Sequence, residues 1–213
     1  SFYSISSSAS KLAIITGPNH YGIGQSIASM IDASWKTPLG LVEVDSESAL
    51  ELRDGLDILE LDSFSHSKEH SIEVQVPMLQ ETFSHEMKIL PISLINQEQK
   101  TATKVGSAIA KIAQKKDALL IGSSDFTHYE ENEFAHRQDL ALIDPILKLD
   151  VDEFYKILYE RHVTACGFGA IASTMIACKE LGATEGKLLK YATSGDVSGD
   201  KSSVVGYASI IFV

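Results

Sequence analysis

Two short stretches of this 213-residue chain combine the side chains that bind metals or transfer protons. Residues 122–129, GSSDFTHY, place Asp125 and His128 three positions apart, directly after an apolar run. Residues 14–21, IITGPNHY, repeat the arrangement and bring in His20. Imidazole and carboxylate groups serve as general acid and base near neutral pH or as ligands of a divalent metal. Each stretch alone would also suit an ordinary capped loop, but two matched stretches favour one shared site.

Cys166 is a further candidate, because it lies just before a helix predicted over residues 168–181. Unpaired N–H groups and the dipole at a helix N-terminus lower the pKa of a thiol and favour the thiolate, a good ligand for iron or copper. The alternative is a small buried apolar residue, the usual state of a lone cysteine. Cys178 is predicted to be of that kind, since it shares a helical apolar stripe with Ile171 and Met175.

His70 and Glu73 are predicted to support the site from a helix over residues 69–83, on which they share one face. A carboxylate or imidazole behind a ligand fixes the tautomer of that ligand, although a solvated helix face would explain the same pair. Residues 66–70, HSKEH, also match the H-x-x-E-H pattern of inverted zinc proteases. The serines before them indicate a loop, so this match is a weak basis for a hydrolase.

Size and charge limit the classes of function. A chain of 213 residues with 44% hydrophobic content can form one domain with a substantial core. Its net charge of -11 argues against nucleic acid or an anionic membrane as a partner. The longest apolar runs are far shorter than the roughly 20 residues that span a bilayer. Two cysteines without CxxC spacing, and no secretory leader pattern, lead us to expect a reducing cytoplasm.

The elements that must position these residues alternate between strands and helices. Strands are predicted at residues 11–16, 39–44, 56–61, 88–94, 117–122, 188–193 and 203–213. Helices are predicted at residues 46–55, 69–83, 97–115, 131–149, 151–159 and 168–181. This alternation predicts an α/β fold with a mostly parallel or mixed central sheet and helices on both faces. Ligands of such sheets bind beyond the carboxyl ends of the strands, where His20, Asp125 and His128 are expected.

Five motifs, in order along essentially the whole chain, resemble the Memo family. They are GPNHYG (17–22), EHSIEVQVPMLQ (69–80), SSDFTHY (123–129), ACG (165–167) and YATSGDVSGDKSSVVGYAS (191–209). That family is similar in fold to the class III extradiol ring-cleaving dioxygenases, which hold non-haem iron with two histidines and a glutamate. The resemblance implies a metal-site role for His20 and an acid–base role for His128, with Asp125 beside it. Cys166 would occupy the place of the glutamate ligand.

The resemblance also sets expectations for the function. Family members carry an upstream segment resembling PHAGY that supplies a first histidine ligand, so residues 1–213 are expected to form one Memo-like domain without that segment. Iron is the expected metal, with copper or zinc as alternatives. A redox metalloenzyme acting on a small organic substrate is the first functional hypothesis. The alternatives are a non-catalytic module that binds metal or a peptide and, more weakly, a metal-dependent hydrolase built on His66 and His70. The oligomeric state is left open.

Overall fold

The computed structural model describes residues 2–83 and 86–213. These residues form ten strands: β1 (Leu12–Pro18), β2 (Ile27–Ser29), β3 (Ser34–Thr37), β4 (Gly40–Glu43), β5 (Glu60–Leu61), β6 (Lys88–Leu94), β7 (Leu119–Gly122), β8 (His128–Glu130), β9 (Gly186–Thr193) and β10 (Val204–Phe212). They also form seven α-helices: α1 (Ser46–Gly55), α2 (Val76–Thr82), α3 (Gln99–Lys116), α4 (Asn132–Leu147), α5 (Val151–Glu160), α6 (Phe168–Glu180) and α7 (Gly195–Ser198). Three short 3-10 helices cover Phe2–Ile5, Ser63–His66 and Glu73–Gln75.

The central sheet has five strands in the order β5-β2-β6-β1-β7. Strand β1 runs parallel to both of its neighbours, β6 and β7, whereas β2 is antiparallel to β6. The sheet is therefore mixed, and helices flank it, which confirms the predicted fold class. Because β1 and β7 are adjacent and parallel, the loops that follow them emerge at the same edge of the sheet.

Strand β1 is buried on both faces. Leu12 and Ile14 pack in one apolar cluster with residues of α1, α3 and α6. Ala13 and Ile15 point the other way, into a cluster that includes α2 and β4. This two-sided burial explains why β1 reads as an unbroken apolar run rather than an alternating one. Complete burial of each isoleucine contributes about 1.5–3 kcal/mol.

A second, three-stranded sheet has the order β8-β10-β9. Residues of β9 and β10 pack against a third apolar cluster, formed mainly by α4, α5 and α6. Helix α6 also contacts β1 and β7, so it lies between the two sheets. No helix in the part of the chain that the structure describes is long and apolar enough to cross a bilayer.

Three predicted elements differ from the structure. In the strand predicted over residues 56–61, only β5 (Glu60–Leu61) is extended, because residues 57–58 form a turn. The helix predicted over residues 69–83 is only α2 (Val76–Thr82), preceded by a loop and a 3-10 turn, because Pro77 occupies the first turn of the helix and favours a helix start there. The strand predicted over residues 39–44 is the second arm of the β3–β4 hairpin and lies outside the five-stranded sheet. Strand β2 was not predicted, because its three residues are too few to show a periodic pattern.

Candidate metal site

The site begins where β1 and β7 end. Ser123, the residue after β7, donates its backbone N–H to the Thr16 carbonyl of β1 at 2.8 Å. In the loop after β1, the Asn19 side chain donates to the carbonyls of Ile23 (3.0 Å) and Ser65 (3.2 Å), and its oxygen accepts from the Gly22 N–H at 3.0 Å. Gly22 has a φ of 61°, a conformation that glycine adopts without strain. Asn19, the residue directly before His20, therefore fixes the loop that carries His20.

Asp125, His128 and Cys166 converge on one point, with candidate ligand atoms all within 4.8 Å of one another. All three are half-buried, and His128 Nε2 lies 3.7 Å from an oxygen of Asp125. The other ring nitrogen, His128 Nδ1, lies 2.9 Å from the Thr164 carbonyl. A carbonyl can only accept, so Nδ1 carries a proton, and in the neutral ring Nε2 presents its lone pair. His128 is thus oriented as a ligand or a base towards Asp125 and Cys166.

The Cys166 thiol lies between charged and dipolar neighbours. The Asp125 N–H donates to Sγ at 3.2 Å, and Ser124 Oγ lies 3.9 Å from it. Burial nevertheless raises the pKa of the thiol, and the nearby Asp125 carboxylate adds to the effect, more than the Asp125 N–H lowers it. The prediction of a lowered pKa is therefore wrong for the metal-free protein, because desolvation outweighs the helix terminus.

Gln97 holds the Cys166 turn against α6, and the sequence alone did not reveal it. Its side-chain nitrogen donates to the Cys166 carbonyl at 2.8 Å, and its oxygen accepts from the Gly169 N–H at 2.8 Å. Tyr155 in turn donates its hydroxyl to the Gln97 carbonyl at 2.7 Å. The turn also requires Gly167, because a Cβ there would meet the Ser123 carbonyl. A glutamine 27 positions from the nearest motif histidine, His70, carries no local pattern that would single it out.

His20 belongs to a second group, with Glu69 and His70. His20 Nδ1 lies 2.8 Å from Glu69 Oε1, His70 Nδ1 lies 3.4 Å from the same oxygen, and the two rings stack with centroids 4.8 Å apart. Burial opposes the charge of Glu69, but hydrogen bonds from the His20 ring and the Ser71 N–H outweigh it and lower the pKa of the carboxyl. Because the carboxylate engages Nδ1, it leaves His20 Nε2 available as a ligand atom.

The carboxylate behind His20 is Glu69, and the predicted Glu73 is elsewhere. Glu73 is exposed on the 3-10 turn and belongs to neither group. His70, the other predicted supporting residue, does contact Glu69. Glu69 was overlooked because it was assigned to the start of a helix, whereas the structure places it in a buried loop. The acid between two histidines in HSKEH was the available clue.

The predicted ligands His20 and Cys166 fall in different groups, but hydrogen bonds join the loops that carry them. Ser123 Oγ donates to the Ser71 carbonyl at 2.6 Å, and Gln75 donates to Ser123 Oγ at 3.0 Å. Ser71 follows His70 directly, and Ser123 is two residues before Asp125. The two groups are therefore neighbouring parts of one strand-end region.

The zinc-protease pattern does not form a site. His66 ends the 3-10 helix Ser63–His66 and is buried against Trp35, with its ring 6.0 Å from the indole. His70 lies on a loop, stacked on His20. The two histidines of HSKEH thus share no helix face, which that chemistry requires.

Fold and site together define an α/β protein with a candidate metal centre at the carboxyl ends of its central strands. A model of the Memo-like protein family matches residues 1–211. The chain is 58% identical over 213 residues to a MEMO1 family protein of Nitrosopumilus maritimus, covering 100% of this chain and 78% of the relative.

Two further relatives, both MEMO1 family proteins, come from Methanosarcina acetivorans and Methanopyrus kandleri. The first is 49% identical over 202 residues, covering 93% of this chain and 74% of the relative. The second is 45% identical over 201 residues, covering 93% of this chain and 71% of the relative. The chain therefore belongs to the Memo family, as the motifs predicted.

Proposed function

We propose that this Memo-family chain is a redox-type metalloprotein that binds a transition metal through Cys166 and His20, with Asp125 and His128 as a proton-transfer pair beside the thiol. The observation that carries the proposal is the convergence of Asp125, His128 and Cys166, in which His128 directs Nε2 towards the other two. Hydrogen bonds through Ser123 join this group to the loop beside His20. A carboxylate, an imidazole and a thiol at one point are typical of a metal or redox site.

The donor chemistry suits a first-row transition metal. A thiolate favours copper, zinc and iron, and imidazole is a good ligand for all three. Iron is the metal that the family resemblance favours, with copper and zinc as alternatives. A thiol whose pKa is raised by burial loses its proton when a metal binds, so binding is expected to release protons and to strengthen as pH rises.

The surrounding residues orient the donors. Glu69 holds the His20 ring through Nδ1, and the Thr164 carbonyl holds the His128 ring in the same way. A bound metal would supply Lewis-acid or one-electron chemistry, and His128 Nε2 would accept a proton from a small organic substrate. Asp125, 3.7 Å away, stabilises the imidazolium that results.

Anaerobic titration with Fe²⁺, Cu⁺ and Zn²⁺ tests the metal-binding part of the proposal. Cys166→Ser is expected to abolish the high-affinity site, and His20→Gln to weaken it at least about tenfold. His128→Gln should leave affinity within a few-fold, and His162→Asn, whose histidine lies outside both groups, serves as the matched control. Unchanged stoichiometry and affinity in Cys166→Ser would refute the proposal, and a full loss of binding in His128→Gln would make His128 a ligand instead of the base.

Catalysis is tested separately, with oxygen uptake by the metal-loaded protein over a panel of catechols and other small phenols. We expect His128→Gln to lose turnover even when its metal site is fully occupied. Uptake that is equal in wild type and His128→Gln would exclude the proton-transfer role. No uptake with any member of the panel would remove ring cleavage and leave metal or peptide binding without turnover.

A further inference from the structure

Asp139 of α4 is a carboxylate that the proposed chemistry does not use. It is completely buried, with 0% exposure, and it belongs to neither candidate metal group. Burial raises the pKa of Asp139, and hydrogen bonds from Thr127 and Tyr191, together with the nearby His136, only partly offset this effect. A buried carboxylate is costly to maintain unless its hydrogen bonds compensate for the lost hydration. The contacts of Asp139 therefore indicate its role.

One oxygen of Asp139 holds Thr127 by two hydrogen bonds. Oδ1 accepts from the Thr127 N–H at 3.0 Å and from the Thr127 hydroxyl at 2.6 Å. Thr127 is itself buried, and it lies directly before His128 and two residues after Asp125. Because a backbone donor and a side-chain donor of one residue share the same carboxylate oxygen, both the backbone and the rotamer of Thr127 are fixed. Asp139 therefore holds the segment that joins Asp125 to His128.

The second oxygen of Asp139 bonds to the second sheet. Oδ2 accepts from the hydroxyl of Tyr191, on β9, at 2.7 Å. Within the described residues, Thr127 and Tyr191 supply all the hydrogen bonds of this carboxylate. The two oxygens thus have separate partners, and only Oδ1 acts on the segment beside the site. Each partner can be removed by a substitution that leaves the other in place.

Strand β10 holds the same segment from another side. The Phe126 N–H donates to the Gly206 carbonyl at 2.9 Å, and the Gly206 N–H donates to the Thr127 carbonyl at 2.9 Å. A Cβ on Gly206 would overlap the Asp139 carboxylate, so the carboxylate lies directly against the β10 backbone. The backbone between the two reactive side chains is therefore held by β10 and Asp139 together.

We propose that Asp139 is the positioning residue of the Asp125–His128 pair. By holding Thr127, it sets the separation of the two side chains, which is 3.7 Å between His128 Nε2 and an Asp125 oxygen. Thr164 also holds His128, with its hydroxyl 2.8 Å from the His128 N–H and its carbonyl 2.9 Å from Nδ1, and this contact requires Thr127 to keep His128 in place. The proton-transfer role of the pair rests on the proposed function, whereas its positioning does not.

Nitrogen-15 NMR of the histidine rings tests this positioning in the metal-free protein. At pH 8, above the usual titration range of histidine, we expect the wild-type His128 ring to be a single tautomer protonated at Nδ1, because the Thr164 carbonyl accepts that proton. His128→Gln identifies the signal by its loss. Thr127→Val keeps the shape of the side chain but removes one donor to Asp139, and Asp139→Asn keeps the volume but removes the charge. Both variants should lose the single Nδ1–H tautomer of His128.

Tyr191→Phe is the matched control. It removes a hydrogen bond of similar length from the same carboxylate but leaves both bonds to Thr127 in place. It should unfold at a lower urea concentration than wild type, as Thr127→Val should, and yet keep the wild-type tautomer of His128. Thr127→Ser retains both donors to Asp139 and should keep that tautomer too.

A wild-type His128 signal in folded Thr127→Val would overturn the proposal. Loss of the single tautomer in Tyr191→Phe would also overturn it, because Asp139 would then support only the general packing. If Asp139→Asn does not fold, the comparison of Thr127→Val with Tyr191→Phe still decides the question. The measurement uses neither metal nor substrate, so its outcome is independent of the metal titrations and of oxygen uptake.

Discussion

His66 makes the stability of this protein sensitive to mild acid. Its ring is buried against Trp35, and Nε2 has no hydrogen-bond partner. Burial lowers the pKa of His66 to about 4, which the nearby Ala28 backbone and the charges of Asp62 and Glu69 only partly offset. In the unfolded chain the pKa is about 6.5. Between pH 4 and pH 6.5, the unfolded state therefore binds a proton at His66 that the folded state does not bind.

The sign and size of the effect follow from proton linkage. A lowered pKa in the folded state gives stability that is present above pH 6.5 and is lost as the pH falls towards 4. The 2.5-unit difference corresponds to about 2 kcal/mol of lost unfolding free energy at pH 5 and about 3 kcal/mol at pH 4. Because Ser65, next to His66, accepts a hydrogen bond from Asn19, the loss also loosens the loop that carries His20.

Urea unfolding from pH 7.5 to 4.5, on wild type and His66→Gln, measures this contribution. The carboxylates titrate in both proteins, so the difference between the two free energies isolates His66. The unfolding free energy of wild type minus that of His66→Gln should fall by about 2 kcal/mol between pH 7 and pH 5. A difference between wild type and His66→Gln that is constant with pH would refute the assignment of His66 as a buried neutral histidine.

Two further substitutions test the packing of the site, each by urea unfolding at pH 7. Glu69→Gln should lower the free energy of unfolding by about 1–3 kcal/mol, because the buried carboxylate accepts several hydrogen bonds. Glu73→Gln, on the exposed turn, should change it by no more than about 0.5 kcal/mol. Equal effects of the two substitutions would contradict the placement of Glu69. Gly206→Ala should lower the free energy of unfolding by about 3 kcal/mol, because the added Cβ would overlap the buried carboxylate of Asp139. Gly55→Ala is the control and should change this free energy little, because the space around Gly55 is open. A Gly206→Ala protein as stable as wild type would show that Asp139 can move.

The fold was predictable where the apolar pattern is long. Strand β1 and helices α1 and α3 have runs that admit one interpretation, and the structure has them within two residues of the predicted ends. Residues 69–75 were mispredicted because apolar residues at helical spacing also occur in the loop before α2, and only the hydrogen bonds to the buried Glu69 decide between helix and loop. Burial of this kind cannot be predicted from the sequence pattern alone.

The candidate site was predictable in part for a similar reason. Asp125 and His128 follow a strand end, so the topology alone brings them to the correct edge of the sheet. The contact between these residues and Cys166 spans about forty positions, and only the family resemblance pointed to it. Gln97 was missed, because a residue that orients a turn through hydrogen bonds leaves no spacing pattern in the sequence. Glu69 was missed, because it was assigned to a helix. The pKa of Cys166 was mispredicted because local helix geometry was considered without burial.

X-ray absorption spectroscopy of the iron-loaded or zinc-loaded chain tests whether Cys166 binds the metal. Ligation by Cys166 predicts one sulfur atom bonded to the metal, at about 2.3 Å for zinc, together with nitrogen from imidazole. The sulfur contribution should disappear in Cys166→Ser and remain in His128→Gln. A metal surrounded only by oxygen and nitrogen atoms in the wild-type chain would contradict the assignment of Cys166 as the anchoring ligand.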